Sequence, residues 1–451
     1  MINTERPGFS IFIRAVLRLS AVAVFLAAAG PAGAILPIQH WQTAAGARVY
    51  FVENHDLPML DISVEFPAGS AYDRADKAGL GSMVVRMLNR GAYGMSEDEI
   101  ARRVADIGAE LAWRSDQDRG GLGLRTLSSD RERRQALDIF ARVLRSPDFA
   151  RDVLEREKVR LIGALKESDT QPGTIASLAF NRLVFREHPY ALRASGEVAT
   201  VEKFTRADLL EFYRRHYAAP YAVVALIGDV TRAQAEAIAE EVTRGLPRAD
   251  GAEPPLAPVT ELAAGATSSI AHHATQAHIM IGAPGMRRDD PDYFPLFVGN
   301  YVLGGGGFVS RINEEIRQKR GLAYSAYSYF SPLRQQGPFL IGMQTQRDQA
   351  EAALKVAREV LRDFVANGPT EKELAAAKQN IIGGFPLRVD SNAKIHEYLA
   401  LIGSYRLPLT YLDDFVKNVE WVTVAQVKEA FARRIHPERM VTVVVAGEDA
   451  K

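Results

Sequence analysis

The sequence predicts an α+β protein built from two homologous halves, and three observations carry that reading. Strand-like and helix-like periodicities alternate along the chain instead of segregating. The pattern Val201-Glu202-x-x-Thr205-x-Ala207-x-x-x-Glu211-x-x-x-Arg215 recurs as Val419-Glu420-x-x-Thr423-x-Ala425-x-x-x-Glu429-x-x-x-Arg433, an offset of 218, and an apolar strand follows each copy. Between the copies, residues 246–262 hold four prolines (247, 254, 255 and 258) and read as a linker. A repeat this long is a folded half, not a solenoid unit.

Composition bounds the chemistry. With 451 residues and 47% hydrophobic content the chain can bury a large core in more than one domain. Its 55 basic and 55 acidic residues give a formal charge of +0, so no broad basic face for nucleic acid is implied. The absence of cysteine excludes disulfides, thiolate metal sites and cysteine nucleophiles. Arg6, Arg14 and Arg18, an apolar run from Leu19 to Gly30 and the small residues Ala32-Gly33-Ala34 form a secretory leader pattern. The run is shorter than the roughly 20 residues of a membrane span. The expected organisation is a signal peptide over 1–34, an N-terminal domain over 35–245, the linker over 246–262 and a C-terminal domain over 263–451. The mature product is expected to be exported without membrane insertion, periplasmic in a Gram-negative source.

In chain order, strands are expected over 47–52 and 60–66, joined by the turn-rich Asn54-His55-Asp56-Leu57-Pro58. A helix follows between Gly79 and Gly91. Ser96-x-x-Glu99 reads as a capping box opening the next helix. Strand character returns between Trp113 and Leu127, then helices over 136–144 and 152–167, with Pro172 as a stop. Thr205-x-x-Asp208 opens a helix to Tyr217 before a buried strand over 222–227. After the linker come a strand at 277–283, a helix at 291–303, a strand at 338–345 and a helix at 348–366. Thr370-x-x-Glu373 caps another helix, and the chain closes on a strand at 440–446.

The stretch 304–330 holds the sharpest local signal. Four glycines, 304–307, precede Phe308, Ile312 and Ile316 at helical spacing. Gly321 reads as the helix stop, and Leu322–Phe330 as a strand. Arg317 and Tyr324 therefore flank one tight turn, where a guanidinium and a phenol suit a carbonyl or a developing oxyanion. By themselves they are equally an ordinary helix-end charge and a strand aromatic.

The ordered set Gly79-Leu80, Glu157, His188-Pro189-Tyr190 with Gly196, Ile227-Gly228-Asp229, Leu303-Gly304-Gly305, Ser310-Arg311 and Gly321-Leu322-Ala323-Tyr324 resembles the M16 metallopeptidases, the pitrilysin and mitochondrial-processing type, from about residue 37 to the end. The resemblance implies two α/β repeats per chain, each a sheet with helices packed on one side, and pairs of such units closing around a peptide chamber. Active members carry His-x-x-Glu-His on the helix corresponding to 79–90. That spacing puts two imidazoles on one helix face and a general base beside the metal-bound water. Here Ser82 and Arg86 stand at the histidine positions, Val85 at the glutamate, and Ala164 at the third ligand. No metal or cofactor is expected in this chain, and none of the nine histidines forms a replacement motif. The resemblance does keep the family's substrate-positioning arginine and, seven residues on, tyrosine, as Arg317 and Tyr324. It implies a non-catalytic subunit of an exported heterodimeric zinc peptidase, with zinc and His-x-x-Glu-His in a partner chain and peptides as substrates. A periplasmic peptide-binding or scaffold protein on an inactive fold is the rival expectation; a metallopeptidase working alone through other residues is a third.

Overall fold

The computed structural model describes residues 37–249 and 251–447. The expected leader over 1–34 lies outside the described residues. Among the described residues, thirteen strands form two large sheets and a short hairpin. In the N-terminal half the strands are β1 (Gln39–Gln42), β2 (Arg48–Glu53), β3 (Met59–Phe66), the hairpin pair β4 (Gly91–Ala92) and β5 (Met95–Ser96), β6 (Glu110–Ser115), β7 (Gly120–Leu127) and β8 (Val223–Gly228). The C-terminal half contributes β9 (Ala266–Ala271), β10 (Gln276–Pro284), β11 (Ala323–Phe330), β12 (Pro338–Gln346) and β13 (Val441–Ala446).

The sheet orders are β1-β2-β8-β3-β7-β6 and β9-β13-β10-β12-β11. Leaving β1 aside, the second repeats the first strand for strand. The one parallel pair of each, β2 with β8 and β9 with β13, occupies the same place. The duplication read from one helical pattern is therefore a duplication of the whole sheet topology. Helix entries follow the local chemistry. Thr205, Thr370 and Thr423 each accept a hydrogen bond from the third helical residue, whose side chain returns to the threonine backbone. At Ser96 only half the box forms: its oxygen accepts from the Glu99 amide, while the Glu99 carboxylate accepts from Arg103.

Each sheet has two buried faces with different origins. Side chains alternate along a strand, and Val49, Phe51, Leu60, Ile62, Val64, Leu122, Leu124, Val224 and Leu226 face the local helices in one apolar core. The opposite face carries Tyr50, Asp61, Ser63, Glu65, Val223 and Ala225, all buried. The Asn392–Tyr405 helix, which belongs to the other half, covers β2, β3 and β8 there. Gly403 makes the approach possible, because a Cβ there would lie 2.4 Å from Val223 and 2.7 Å from Tyr50. Reciprocally, the Pro172–Phe185 helix of the first half packs on β10 and β13 of the second. Its Phe180 ring rests on Gly282, where a Cβ would come within 2.8 Å of the ring. The halves thus exchange one helix each.

Sequence reading placed neither exchanged helix. Pro172, expected as a stop, is the first residue of the Pro172–Phe185 helix, where its missing N–H costs no hydrogen bond. The linker has no regular secondary structure but is anchored: Leu246, Val259 and Leu262 are buried, Pro247 accepts from the Ala219 amide, and Glu253 pairs with Arg334 and Arg406.

The β6–β7 turn of one half meets the β11–β12 loop of the other at Asp118, which is fully buried. Its carboxylate accepts from Tyr190 at 2.7 Å, Tyr405 at 2.9 Å and the Arg334 amide at 2.8 Å. Burial pushes this carboxyl above its ordinary range, against the pull of those donors. Removing the acceptor leaves buried donors unpaired. Asp118→Ala should lower unfolding free energy by about 3 kcal/mol, and Asp118→Asn by less, in urea titrations. The exchange also carries a pH signature. His396 is buried on β8, its Nε2 3.3 Å from the Ala225 carbonyl, and burial holds its pKa down at about 4. The unfolded chain therefore binds the extra proton, so stability is lost as pH falls from about 6.5 towards 4, by up to about 3 kcal/mol. The stability of His396→Gln should fall less over that interval.

Candidate functional site

The Leu80–Met87 helix is the one on which the family resemblance expects the metal motif, and its N-terminus is firmly held. Asp73 accepts from the amides of Gly79 at 2.7 Å and Gly81 at 2.8 Å, closing the helix N-terminus. Burial nonetheless raises its carboxyl to about 7. Gly79 has φ +92° and lies so close to Gly196 that a Cβ would meet its Cα at 2.6 Å. These contacts account for Gly79 and Gly196 without any catalytic role.

The residues at the positions that the resemblance assigns to metal chemistry do not form a ligand set. Ser82 donates its hydroxyl to the Ala194 carbonyl at 2.6 Å. Val85 is fully buried hydrocarbon. The Arg86 guanidinium lies 5.6 Å from the Trp113 ring, a cation–π contact. Ala164 offers only a methyl, on an exposed face of the Arg151–Ser168 helix. Glu157 is buried and accepts from Arg160 at 3.0 Å. Among the described residues no group of three or more His, Asp or Glu side chains is placed to hold a metal ion. His188 and His216 are spoken for: His188 accepts from the Tyr190 amide and reaches the Ala257 carbonyl, and His216 reaches the Pro67 carbonyl. His272 bonds the Thr170 carbonyl and the Ala274 amide.

The 304–330 stretch is more broken than its periodicity suggests. A π turn over Tyr301–Gly305 and a 3-10 turn over Gly307–Val309 precede a short helix at Arg311–Asn313 and a second π turn over Glu314–Gln318. Ile312 and Ile316 are buried as the stripe requires, but Phe308 is 64% exposed. Gly307 has φ +63° and Ser310 is extended, so the helix begins after Phe308 and leaves it outside. Gly321, with φ +64°, terminates the turn, its amide donating to Arg317 and that of Leu322 to Ile316.

Arg317 and Tyr324 are brought together as their spacing implies. The Arg317 guanidinium carbon lies 5.0 Å from the centre of the Tyr324 ring and 4.8 Å from that of Phe308, so the two rings flank it. Tyr324 is the extra residue of a β-bulge: Ala323 pairs with Thr345 and Ser325 with Gln344, and the unpaired phenol is 78% exposed. The adjacent acids are committed elsewhere. Glu315 binds Lys319 at 2.7 Å and Arg320, and Glu314 binds Lys319 at 3.1 Å. The Arg317 guanidinium makes no ion pair or hydrogen bond among the described residues, so its donors are available beside the two rings. Phe308 is the partner that the sequence reading missed. Its place directly after four glycines was the available signal, taken there for helix packing.

With this geometry established, the class of protein follows. The descriptions "Insulinase (Peptidase family M16)" and "Peptidase M16 inactive domain" match residues 48–196 and 203–381. The chain belongs to peptidase family M16. It is 37% identical to a peptidase M16 inactive domain from Pseudomonas fluorescens, with a TM-score of 0.88 over 92% of this chain and 99% of that one. It is 26% identical over 389 residues to the non-peptidase homolog YmxG of Helicobacter pylori, covering 84% of this chain and 87% of that protein. The periplasmic protease PqqL of Escherichia coli shares the fold, with a TM-score of 0.78 and 17% identity over 92% of this chain but 46% of that one.

If Ser82, Arg86 and Ala164 stand at three converging ligand positions, the combined substitutions Ser82→His, Arg86→His and Ala164→Glu should create stoichiometric zinc binding that the parent chain lacks. Metal analysis of the purified proteins reads this directly. A folded triple variant that takes up no zinc would show that the positions do not converge.

Proposed function

We propose that this chain is the non-catalytic subunit of an exported, heterodimeric M16 zinc peptidase, and that Arg317 and Tyr324 position the substrate for a partner chain bearing His-x-x-Glu-His. The observation that carries this reading is the contrast between the two half-sites. The positions that the resemblance assigns to ligands hold serine, arginine and alanine, none of them an ordinary zinc ligand, whereas the Arg317 guanidinium lies beside two rings with no acid paired to it among the described residues. A guanidinium and a phenol oriented in this way supply donors to a carbonyl and to the oxyanion that develops from it. Zinc, in the partner, supplies the Lewis acid and activated water. The substrate adds an extended strand to a sheet edge of the partner, with main-chain hydrogen bonds giving affinity with little sequence demand.

Relative length is consistent with pairing: this chain matches 46% of the periplasmic protease PqqL, so more than half of that chain lies beyond the shared fold. A peptide-binding or scaffold role accounts equally for the lost ligands but leaves the unpaired Arg317 without a task.

The test is reconstitution with an M16 chain that has an intact zinc motif. Arg317→Ala and Tyr324→Phe should each reduce peptide turnover by the pair about a hundredfold, while co-elution of the two chains is unchanged. Equal turnover by variant and parent pairs would contradict the assignment.

A further inference from the structure

The peptidase reading leaves unused a cavity of about 400 Å³ beside the linker, bounded by residues 253–256, 287–289, 333–334 and 404–406. Four guanidiniums (Arg287, Arg288, Arg334 and Arg406) and two carboxylates (Glu253 and Asp289) line it. Among the described residues the lining therefore carries a surplus of two positive charges, in a chain whose 55 basic and 55 acidic residues balance.

The two acids are already divided. Glu253 accepts from Arg334 at 2.8 Å through one oxygen and from Arg406 at 3.0 Å through the other. Asp289 accepts from Arg287 at 2.7 Å. Arg288 has no carboxylate among the described residues. It reaches only the Tyr293 hydroxyl at 3.4 Å and the Pro332 carbonyl at 3.2 Å, with its guanidinium carbon 5.8 Å from the Tyr293 ring and 5.5 Å from the Tyr405 ring. A fifth guanidinium, Arg48, presses on the same cluster. Its Nε and Nη1 are buried without a partner among the described residues, and burial, then repulsion from Arg406, hold it below the usual arginine range.

Like charges gathered in a partly dry site repel one another, and an anion entering it is held more strongly than in water. Arginine forks match carboxylate and phosphate groups geometrically. The remaining wall, from Pro254, Pro255, Leu256, Leu333 and Tyr405, is largely apolar, and the volume falls within the roughly 300–1,000 Å³ of small-molecule sites.

We propose that this cavity binds a small dianion with an apolar body, a phosphate monoester or a dicarboxylate, with Arg288 and Arg406 on the charged groups and the proline-leucine wall against the hydrocarbon. The proposal stands independently of the peptidase assignment.

Calorimetric titration of the full chain with phenyl phosphate and with phthalate tests it, at constant ionic strength and about pH 8, where a phosphate monoester is doubly charged. Benzyl alcohol is the uncharged control. Saturable one-to-one binding of either dianion is expected, and which one binds separates phosphate from carboxylate recognition. Arg288→Gln and Arg406→Gln should each weaken it roughly tenfold, the loss of one charge-assisted contact. Glu253→Gln should tighten it by freeing two arginines. Arg406 is 64% exposed, so its replacement leaves the fold intact should Arg288→Gln not. Heats no larger than those of benzyl alcohol, or affinity unchanged in Arg406→Gln, would overturn the proposal.

Discussion

Each sheet of this protein is apolar on one face against its own helices and needs a second cover, and each half obtains that cover from the other. The Asn392–Tyr405 helix closes the face bearing Tyr50, Ser63 and Val223, and the Pro172–Phe185 helix closes the face bearing Gly282. Because the exchange is reciprocal, neither half can be drawn away without stripping a buried face from both. The rest of the interface follows from this arrangement. The β6–β7 and β11–β12 connections are brought together, and Asp118 takes the donors that meet there. The edge strands β6 and β11 lie at the end of each sheet, and β11 carries the exposed bulge at Tyr324.

The two candidate sites are built on different scaffolds, a capped regular helix and an irregular run of turns. On the Leu80–Met87 helix, the Asp73 cap and the Gly79–Gly196 contact still fix where residues 82 and 86 sit. The side chains placed there are a hydroxyl turned to Ala194 and a cation turned to Trp113. At 304–330 the reverse holds: the backbone is irregular, with two π turns and a bulge, yet it delivers one guanidinium between two rings. Diverting Glu314 and Glu315 to Lys319 and Arg320 keeps that guanidinium unneutralised. An arginine locked to a carboxylate would have most of its donors occupied and would attract a carbonyl less.

Much of this was legible in the sequence because it rests on local chemistry. Strands with a helix-facing apolar set, threonine-opened helices and the proline-rich linker all announced themselves, and the repeat was visible from a single helix. The exchanged helices were not. The buried face of the Asn392–Tyr405 helix mixes Leu399, Ala400 and Ile402 with Asn392, His396, Gly403 and Ser404, which blurs the apolar stripe. The Pro172–Phe185 helix buries Ala176, Phe180, Val184 and Phe185, but Pro172 resembles a stop until its place at the first helical turn is seen. Phe308 was misplaced for a related reason. Its spacing from Ile312 fits a helix, but four preceding glycines allow the chain to turn before the helix begins. At the positions that the resemblance assigns to metal chemistry, the sequence offers residue identities alone, and neither Val85 nor Ala164 has a donor atom in its side chain.

The central claim is that this chain has lost the metal chemistry of its family while retaining the donors that serve a partner's. Peptide cleavage by the purified chain alone, and by a mixture with an M16 chain carrying His-x-x-Glu-His, together with zinc analysis of each, tests it most directly. The account predicts no cleavage and no bound zinc for this chain alone, and chelator-sensitive cleavage by the mixture well above that of the partner by itself. Stoichiometric zinc and chelator-sensitive cleavage in this chain alone would contradict it, as would a mixture no faster than the partner.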